Sequence, residues 1–433
     1  MRFSSSPNRP EAWKEMKLAD ICKTFTSGGT PSRKRPEYFE NGTIPWVRTK
    51  ELNDGVITQV EEFITTEALK NSSAKMLPKD TVLLAMYGAT VGKLGVLGLE
   101  SSCNQACAAM IPKEGLVDFR FLFYLLLNYR ELIINQATGG AQQNLSGELI
   151  KGFTFDFPSY EEQQAISELL WKIDEKIAVN NAQSKTLEDI AQTIFKSWFI
   201  DFDPVKAKMA GEKPAVMDAA AAALFPASMV ESELGLIPKG WEIRSLDEIS
   251  EYLNGLAMQK FPVTDFSSQL PVIKIAQLRA GNTKGSDMAS GSLDSRFVVR
   301  DGDILFSWSG TLEVEIWAGG PGALNQHLFK VSGLTVPDWF SYLSTKYFLT
   351  FFRGVASGKA TTMGHIQRGH LSESKLAIPN SKLLYRAAQI IEPIISMKIK
   401  TLVANRNLAE IRDSLLPRLI SGELQIPTEM LAS

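Results

Sequence analysis

The segment Trp13-Lys-Glu-Met-Lys-Leu-Ala-Asp-Ile21 reappears as Trp241-Glu-Ile-Arg-Ser-Leu-Asp-Glu-Ile249, 228 positions further along the chain. Other matches follow in the same order. They pair Ile44-Pro-Trp-Val-Arg48 with Leu270-Pro-Val-Ile-Lys274, Lys79-Asp-Thr-Val-Leu-Leu84 with Asp301-Gly-Asp-Ile-Leu-Phe306, and Asn104-Gln105 with Asn325-Gln326. Because solenoid repeats have periods of only about 20 to 50 residues, this longer period predicts two copies of one domain.

Each copy begins with a mixed α/β pattern. Short apolar runs such as Thr81 to Met86 and Asp303 to Trp308 lie between glycine-containing turns and indicate strands. A longer apolar stretch follows in each copy, first at Phe119 to Asn135 and then at Trp339 to Phe352, and indicates helix. The predicted fold class is therefore a duplicated α/β domain.

Each copy ends in a heptad pattern, which predicts a coiled-coil helix. The first pattern consists of Ile166, Ile173, Asn180, Leu187 and Ile194 on one row and Leu170, Ile177, Ser184, Ala191 and Trp198 on the other. The second consists of Ile391, Ile395, Ile399, Leu402, Asn405, Leu408, Ile411, Leu415 and Leu419. Two helices that each pack on their own domain would give the same pattern, but their matching placement in the two copies favours pairing with each other.

Polar residues interrupt both patterns, at Asn180 with Ser184 and at Asn405. A buried polar layer of this kind lowers stability but fixes the register of a coiled coil. We therefore expect these positions to align the two helices.

We predict five segments along the chain. Residues 1–157 and 238–380 form the two α/β domains, residues 158–203 and 381–433 form the two helices, and residues 204–237 form a linker with at most a short helix.

Five segments resemble type I restriction-modification specificity subunits, in the order in which that family has them. They are Gly28-Gly-Thr-Pro31, Phe157-Pro-Ser-Tyr-Glu-Glu-Gln-Gln164, Phe195-Lys-Ser-Trp-Phe-Ile-Asp-Phe-Asp-Pro-Val-Lys-Ala-Lys208, Ile237-Pro-Lys-Gly-Trp241 and Asp413-Ser-Leu-Leu-Pro-Arg-Leu-Ile-Ser-Gly-Glu-Leu424. One segment departs from the family: Ile378 to Tyr385, before the second helix, lacks the Glu-Glu-Gln element of the first copy. The departure affects the start of that helix.

The resemblance implies two target recognition domains held apart by two long antiparallel coiled-coil helices. Each domain would recognise one half of a bipartite, asymmetric target in double-stranded DNA. The helices would set the gap between the halves and bind methyltransferase (modification) subunits, and through these the motor-nuclease (restriction) subunits. A helix from Ile166 to Trp198 is about 50 Å long at 1.5 Å per residue, which would let the domains contact DNA about one turn apart.

Composition constrains the cellular setting more than it constrains the function. The N-terminus lacks the apolar core of a signal peptide, and the longest apolar run, Phe121 to Leu127, is far shorter than the roughly 20 residues that cross a bilayer. With only 3 cysteines and 3 histidines, we expect a cytoplasmic chain with no disulfide framework, no metal site and no membrane contact. The formal net charge of -2 neither supports nor excludes DNA binding.

Candidate DNA contacts are polar side chains in loops beside glycines, because Gln, Asn, Arg and Lys can make bidentate contacts to base edges. In the first domain they are Arg33, Lys34, Arg35, Arg48, Lys50, Tyr87, Lys93, Gln142, Gln143 and Asn144. In the second they are Lys274, Gln277, Arg279, Trp308, Lys359, Thr361, Thr362 and His365. An ordinary solvated loop residue remains the alternative for each. The pairs Asn104-Gln105 and Asn325-Gln326 occur in both copies and are expected to hold the fold instead.

Motifs for catalysis are weak, so we expect a chain without enzymatic activity and without a cofactor. Gly88-Ala-Thr-Val-Gly-Lys93 resembles a phosphate loop but has one residue too few between the glycines and Leu94 in place of Ser or Thr. No Asn-Pro-Pro-Tyr or Asp-Pro-Pro-Tyr tetrapeptide for amino methylation is present.

Three alternatives stay open. The chain could be a recognition subunit of another DNA-modifying machine, or one that pairs with a methyltransferase alone. It could also be a nuclease with its own centre, because Pro337-Asp338 with Glu373-Ser-Lys375 imitates a nuclease motif.

Overall fold

Two structural units divide the chain, and each contains one sequence repeat together with a part of both long helices. The first comprises Met1–Lys176 with Leu408–Ser433, and the second comprises Ile177–Asn407. This division differs from the predicted sequential domains because each long helix contributes to both units. The computed structural model describes residues 3, 10–137, 144–215, 217–358 and 364–427.

The elements of the first repeat alternate short strands with short helices. They are β1 (Lys14–Lys17), α1 (Leu18–Ile21), β2 (Cys22–Ser27), β3 (Ile44–Val47), β4 (Gly55–Ile57), β5 (Phe63–Ile64), α2 (Thr66–Lys70), β6 (Val82–Ala85), β7 (Leu94–Leu97), β8 (Ser102–Cys103), β9 (Cys107–Pro112), α3 (Phe119–Asn128), α4 (Arg130–Ile134), α5 (Gly147–Lys151) and β10 (Thr154–Phe157). The predicted strand at Thr81 to Met86 and the predicted helical stretch after Phe119 are confirmed.

The main sheet of the first unit has the order β2-β9-β6-β7-β4 in the described residues. A smaller sheet, β5-β3-β8, contains a parallel pair, β3 with β8, while β1 pairs antiparallel with β10. Alternate residues of β6 enter different cores, because successive side chains of a strand point to opposite faces. Val82 and Leu84 pack with Phe121 of α3, whereas Leu83 lies in a separate cluster with Val47.

The chain then continues through the first long helix, α6 (Tyr160–Phe195), which ends in a π-helical turn at Lys196–Ile200. The predicted helix spanned residues 158–203, so its bounds differ by a few residues at each end. Phe202 takes a left-handed φ of 58° directly after this turn and interrupts the helical path.

The segment from 204 to 237 is more ordered than predicted, and the expectation of at most a short helix is wrong. Its described part, which omits residue 216, contains α7 (Asp203–Met209), α8 (Ala219–Leu224) and a hairpin of β11 (Met229–Ser232) and β12 (Gly235–Pro238). The Asp218 carboxylate accepts the backbone N–H of Ala221 at 2.7 Å and caps α8. The Ser232 hydroxyl donates to the carbonyl of Gly235 at 2.6 Å and closes the hairpin.

The second repeat and the second long helix complete the chain. Their elements are β13 (Glu242–Ser245), α9 (Leu246–Ile249), β14 (Ser250–Asn254), β15 (Gln269–Ile273), α10 (Ile275–Ala280), β16 (Met288–Ser290), β17 (Val298–Val299), β18 (Ile304–Ser307), β19 (Val314–Ile316), β20 (Gly322–Leu324), β21 (Leu328–Gly333), α11 (Asp338–Tyr347), α12 (Leu349–Ser357), α13 (Arg368–Glu373), β22 (Lys375–Ile378) and α14 (Ser381–Ile420). Helix α14 ends before Gly422, which has a φ of +74°, rather than continuing to residue 433 as predicted.

The sheets of the second unit correspond to those of the first. In the described residues the order β14-β21-β18-β19 matches β2-β9-β6-β7, and the antiparallel pair β13 with β22 matches β1 with β10. The parallel pair of β15 with β20 likewise matches that of β3 with β8. The predicted duplication of one α/β domain is therefore confirmed.

The helix pair supplies apolar residues to the core of each unit. In the first unit, Ile166 and Leu170 of α6 share a core with Leu419 of α14. In the second unit, Ala191 of α6 shares a core with Ile391 of α14. The predicted rows of α6 are buried or half-buried throughout, as a coiled-coil seam requires.

The predicted polar layer lies within the second unit. The side-chain amide of Asn180 donates to the amide oxygen of Asn405 at 2.8 Å, and Asn405 donates to Asn181 at 2.8 Å. Glu188 and Lys398 form an ion pair on the same helix pair. Because residue numbers rise on one helix as they fall on the other, the helices are antiparallel here.

Three positions of α14 differ from the predicted seam. Ile411 was expected inside but is 49% exposed, while the neighbouring Leu416 is 7% exposed. Leu416 packs into the core of the first unit, so that core rather than the heptad decides which face of α14 is buried there. Lys398, which is not a seam position, is 4% exposed because its ammonium group is paired with Glu188.

Replacing Asn405 by Leu is expected to destabilise the second unit by about 1–3 kcal/mol, because it leaves the buried amide of Asn180 without its acceptor. The double variant Asn180→Leu/Asn405→Leu is expected to recover most of this loss, since a matched apolar pair leaves no buried donor unsatisfied. Denaturant unfolding of wild type and both variants checks this. A single variant as stable as wild type, or a double variant no better than the single one, would contradict the polar layer.

Candidate DNA interface

Two loops meet at the same place in each repeat. The backbone of Tyr87, just after β6, forms an isolated antiparallel bridge with Asn144, and Ser309, just after β18, forms one with His365. The members of the two bridges differ by 222 and 221 positions, which are the shifts of the neighbouring sequence matches, Lys79 with Asp301 and Asn104 with Asn325. The structure thus brings together candidates that are more than fifty residues apart in sequence.

The β6–β7 loop of the first repeat is a tight hairpin connection. Gly88 and Gly92 have φ values of 83° and 80°, and a Cβ on Gly92 would lie 2.6 Å from the Ile134 side chain. A strand, β7, follows Lys93, whereas a phosphate loop requires a helix there. The geometry therefore argues against nucleotide binding by this loop.

Asp54 holds this loop in place. Its carboxylate accepts hydrogen bonds from Lys93 Nζ at 3.0 Å, from Arg130 Nη1 at 3.0 Å and from the backbone N–H of Leu94 at 3.1 Å. Burial alone would raise the pKa of Asp54, but the Leu94 N–H and the Arg130 and Lys93 charges hold the pKa below its usual value. Sequence reasoning missed Asp54, which lies about forty residues from the loop it fixes.

Trp308 is the centre of the corresponding loop in the second repeat. Its indole N–H donates to the Asn254 side chain at 3.0 Å and to the backbone carbonyl of Gln326 at 3.2 Å. The rings of His327 and His365 lie 5.9 Å and 6.4 Å from it, centroid to centroid. The half-buried indole therefore has a fixed orientation. Asn254 and His327 are part of this site and were not among the sequence candidates.

The early loops of the first repeat collect cations and carboxylates. Arg33 pairs with Glu62 at 2.5 Å, Arg48 pairs with Glu61 at 3.2 Å and also with Glu62, and Lys50 pairs with Glu61. The Lys50 ammonium group lowers the pKa of the exposed Glu61 carboxyl. Three candidate cations are thus held together by two carboxylates, of which Glu61 is exposed and Glu62 is half-buried.

Aromatic rings and solvent also surround the cations of this region. The Arg33 guanidinium lies 4.2 Å from the ring centroid of Phe39. Arg35 donates to the Tyr38 hydroxyl at 2.8 Å, and Lys34 is exposed. These side chains remain accessible to a ligand.

Helix α10 carries three candidates of the second repeat with different surroundings. Lys274 pairs with Asp287, and Arg279 is exposed. Gln277 is only 7% exposed, and its amide oxygen accepts the backbone N–H of Lys274 at 3.3 Å, so this side chain caps its own helix. We therefore leave Gln277 out of the proposed interface.

The repeated Asn-Gln pairs differ in burial. Asn325 is 3% exposed and its side-chain oxygen accepts the His327 N–H at 3.2 Å, in line with a role in holding the fold. Asn104 accepts the Cys107 thiol at 3.3 Å. Gln105 is exposed and pairs with Thr30.

Five candidates lie outside the described residues. They are Gln142, Gln143, Lys359, Thr361 and Thr362.

Two members of the apparent nuclease motif, Asp338 and Lys375, have structural roles. The Asp338 carboxylate accepts the backbone N–H of Gly333 at 2.7 Å and so shapes the turn into α11. Lys375 pairs with Glu233 at 2.9 Å. Among the described residues, no three or more His, Cys, Asp or Glu side chains form a group that could hold a metal ion.

Within the described ranges, every helix is too short or too polar to span a bilayer.

Replacing Asp54 by Asn is expected to destabilise the first unit by about 1–3 kcal/mol at pH 7, because two cations lose their partner. Asn adds little backbone strain, because it tolerates the left-handed φ of 60° at this position. Folding lowers the pKa of this carboxyl, so the charged carboxylate stabilises the fold at pH values above its pKa in the unfolded chain, about 3.9. This stabilisation is lost as the pH falls through the lower pKa of the folded state.

The difference in the free energy of unfolding between wild type and Asp54→Asn should therefore shrink as the pH is lowered below about 5. Denaturant unfolding at a series of pH values measures it. Glu114→Gln, at an exposed position, serves as the control. A difference that does not depend on pH would show that the charge of Asp54 is not responsible.

Comparisons with known proteins agree with this architecture. The family model of the type I restriction modification DNA specificity domain matches residues 10–189 and, a second time, residues 238–409. The type I restriction enzyme MjaIX specificity subunit of Methanocaldococcus jannaschii is 29% identical over 436 residues, which cover 96% of this chain and 94% of that protein. The HindI specificity subunit of Haemophilus influenzae is 26% identical, with 95% of this chain and 99% of that protein covered.

Among solved structures, the type I restriction-modification system S subunit from M. genitalium superposes with a TM-score of 0.53 at 14% identity, covering 96% of this chain and 99% of that one. At this identity the likeness supports the fold. The family model, in contrast, matches both repeats and most of the chain. This chain therefore belongs to the family of type I restriction-modification specificity subunits.

Proposed function

We propose that each repeat of this chain recognises one half of a bipartite, asymmetric DNA target. The observation that carries the proposal is the meeting of two loops at corresponding places, Tyr87 with Asn144 and Ser309 with His365. The supporting frames match, but the loops present different side chains. Because each base pair shows a distinct pattern of donors and acceptors in the major groove, two different sets of side chains favour different half-sites.

The cations of the early loops are proposed to hold the DNA backbone. Arg33, Arg48 and Lys50 are paired with carboxylates that are at least partly exposed. Surface ion pairs of this kind are worth only about 0–1 kcal/mol, so a phosphate can replace the carboxylate at small cost. Phosphate contacts set the position of a protein on DNA, whereas base contacts determine the sequence.

The helix pair is proposed to set the gap between the half-sites and to bind methyltransferase subunits, through which motor-nuclease subunits join the complex. Its antiparallel packing and buried Asn180–Asn405 layer support a fixed register. Chemistry would then belong to the partners. Neither the loop before β7 nor any tetrapeptide of the sequence supplies a site for S-adenosylmethionine or for amino methylation.

The purified chain alone is expected neither to bind S-adenosylmethionine nor to methylate DNA, and methylation should appear when its methyltransferase subunits are added. Titration calorimetry and a methyl-transfer assay check the two statements. The partner subunits without this chain are the control. Stoichiometric cofactor binding by the isolated chain would contradict the proposed division of labour.

Replacing Asn144 by Ala is expected to weaken discrimination in the first half-site by about 1–3 kcal/mol if its amide contacts a base edge. Replacing His365 by Ala should do the same in the second half-site alone. Each variant is the control for the other. The measurement is methylation of DNA libraries in which one half-site at a time is randomised.

Two results would contradict this division of the target. One is a palindromic target for the wild-type complex. The other is an equal loss of discrimination in both half-sites from a single substitution.

A further inference from the structure

A network of charged side chains, three of them largely buried, joins the second repeat to both long helices in the second unit. Tyr342 of α11 donates its hydroxyl to Glu188 of α6 at 2.6 Å. Glu188 also pairs with Lys398 of α14 and with Lys346 of α11. Glu315 of β19 completes the network through Lys346 at 3.0 Å.

The network is costly to bury and balanced in charge. The side chains of Lys398 and Glu188 are 5% and 11% exposed, and that of Lys346 is 15% exposed. Two lysines face two glutamates, so the formal charges sum to zero. Burial alone would raise the pKa of Glu188, but Lys398 and Lys346 lower the pKa to about 2, so Glu188 is ionised at neutral pH.

A contact of the same kind joins the first repeat to both helices within the first unit. Tyr124 of α3 donates its hydroxyl to Asp174 of α6 at 2.6 Å, and Arg412 of α14 pairs with Asp174 at 2.5 Å. Tyr124 is fully buried. Each unit therefore has a buried tyrosine bound to a carboxylate on α6, which is bound in turn to a cation on α14.

The two tyrosines do not occupy equivalent positions of the sequence repeat, so the duplication does not explain why both units have this contact. When the buried Phe121 is aligned with the buried Phe340, a shift of 219, the residue that aligns with Tyr342 is Phe123 rather than Tyr124. Both carboxylates lie on the first long helix and both cations lie on the second. Asp174 and Glu188 are fourteen residues apart, as are Lys398 and Arg412 (188 − 174 = 412 − 398 = 14), which is two heptads.

Resting on the proposed function, we propose that Tyr342–Glu188–Lys398 and Tyr124–Asp174–Arg412 are positioning residues that hold each recognition domain at one place along the helix pair and so select the gap length of the target. We call these two contacts the second and the first anchor. Neither is proposed to contact DNA.

These contacts can fix the position of a domain because hydrogen bonds, unlike apolar contacts, are directional. Apolar side chains in a seam tolerate small displacements, because their attraction depends on buried area and not on angle. A hydrogen bond of 2.6 Å from a buried tyrosine to a carboxylate is lost when its donor moves by the roughly 3.4 Å that separates base pairs along DNA. Shifting a domain by one base pair would leave the largely buried Glu188 and Lys398 of the second anchor without partners, which is strongly unfavourable. The cost is smaller at the first anchor, where Asp174 and Arg412 are 27% and 20% exposed.

The test replaces the second anchor without leaving an unpaired charge. In Glu188→Met/Lys398→Met the pair of Lys346 with Glu315 remains, and apolar replacement of a buried ion pair is often neutral for stability. The matched control is Lys185→Met/Asp189→Met, which removes an exposed ion pair on α6, with side chains 77% and 59% exposed. Each full-length variant is combined with its methyltransferase subunits.

The measurement is methylation of a DNA library in which both half-sites are constant and the gap length varies. The wild type and the control should prefer one gap length. The double methionine variant should accept gaps one base pair shorter or longer, with the preference reduced about tenfold, the effect expected when one hydrogen bond to a charged group is lost. Recognition of each half-site should be unchanged.

The outcomes separate the two proposals. A folded double methionine variant that keeps the wild-type gap preference overturns the anchor proposal, because a merely structural role would be satisfied by the apolar replacement. If that variant does not fold, Tyr342→Phe, which removes a single hydroxyl, decides the question by the same assay, and an unchanged gap preference again overturns the proposal. A wild-type complex with no bipartite target would instead overturn the proposed function.

Discussion

The packing of one long helix against the other is the constraint on which both units depend. Each unit completes its apolar core with side chains from both helices, as with Leu170 and Leu419 in the first and Ala191 and Ile391 in the second. A repeat without the helix pair would expose part of this apolar surface to water. The folding of each repeat therefore depends on the alignment of the two helices. The Asn180–Asn405 contact favours one register of the helix pair.

In each repeat, the strands that the two copies share are separate from the loops that differ between them. The strands and their order are shared, because alternate apolar residues of strands such as β6 and β18 must face two cores at once. The loops that follow these strands carry no such requirement, so Tyr87 and Lys93 stand in one repeat where the other has Ser309 and its neighbours. A duplicated frame with independent loops allows two different half-sites to be recognised by one chain.

Electrostatics acts in this chain through local pairs and not through net charge. The formal charge is -2, yet Arg33, Arg48 and Lys50 form one cluster, held by Glu61 and Glu62. Ion pairs near the surface contribute only about 0–1 kcal/mol to stability, whereas breaking the buried pair of Glu188 with Lys398 would leave an uncompensated buried charge. Lysine and glutamate thus form a weak pair at the surface, Lys50 with Glu61, and a buried pair in the interior, Lys398 with Glu188.

The sequence by itself determined the duplication, the α/β class, the helix pair and its polar layer, because these depend on apolar residues recurring at regular intervals. It also placed Tyr87, Asn144, Trp308 and His365 among the candidate contacts. Only the tertiary structure decided that these loops meet in pairs, that Gln277 caps its own helix, that residues 204–237 contain a hairpin, and that Lys398 is buried. The reason is distance along the chain. A lysine is rarely buried unless a carboxylate pairs with it, and the partner of Lys398 lies 210 residues away, so a local sequence pattern does not reveal the pair.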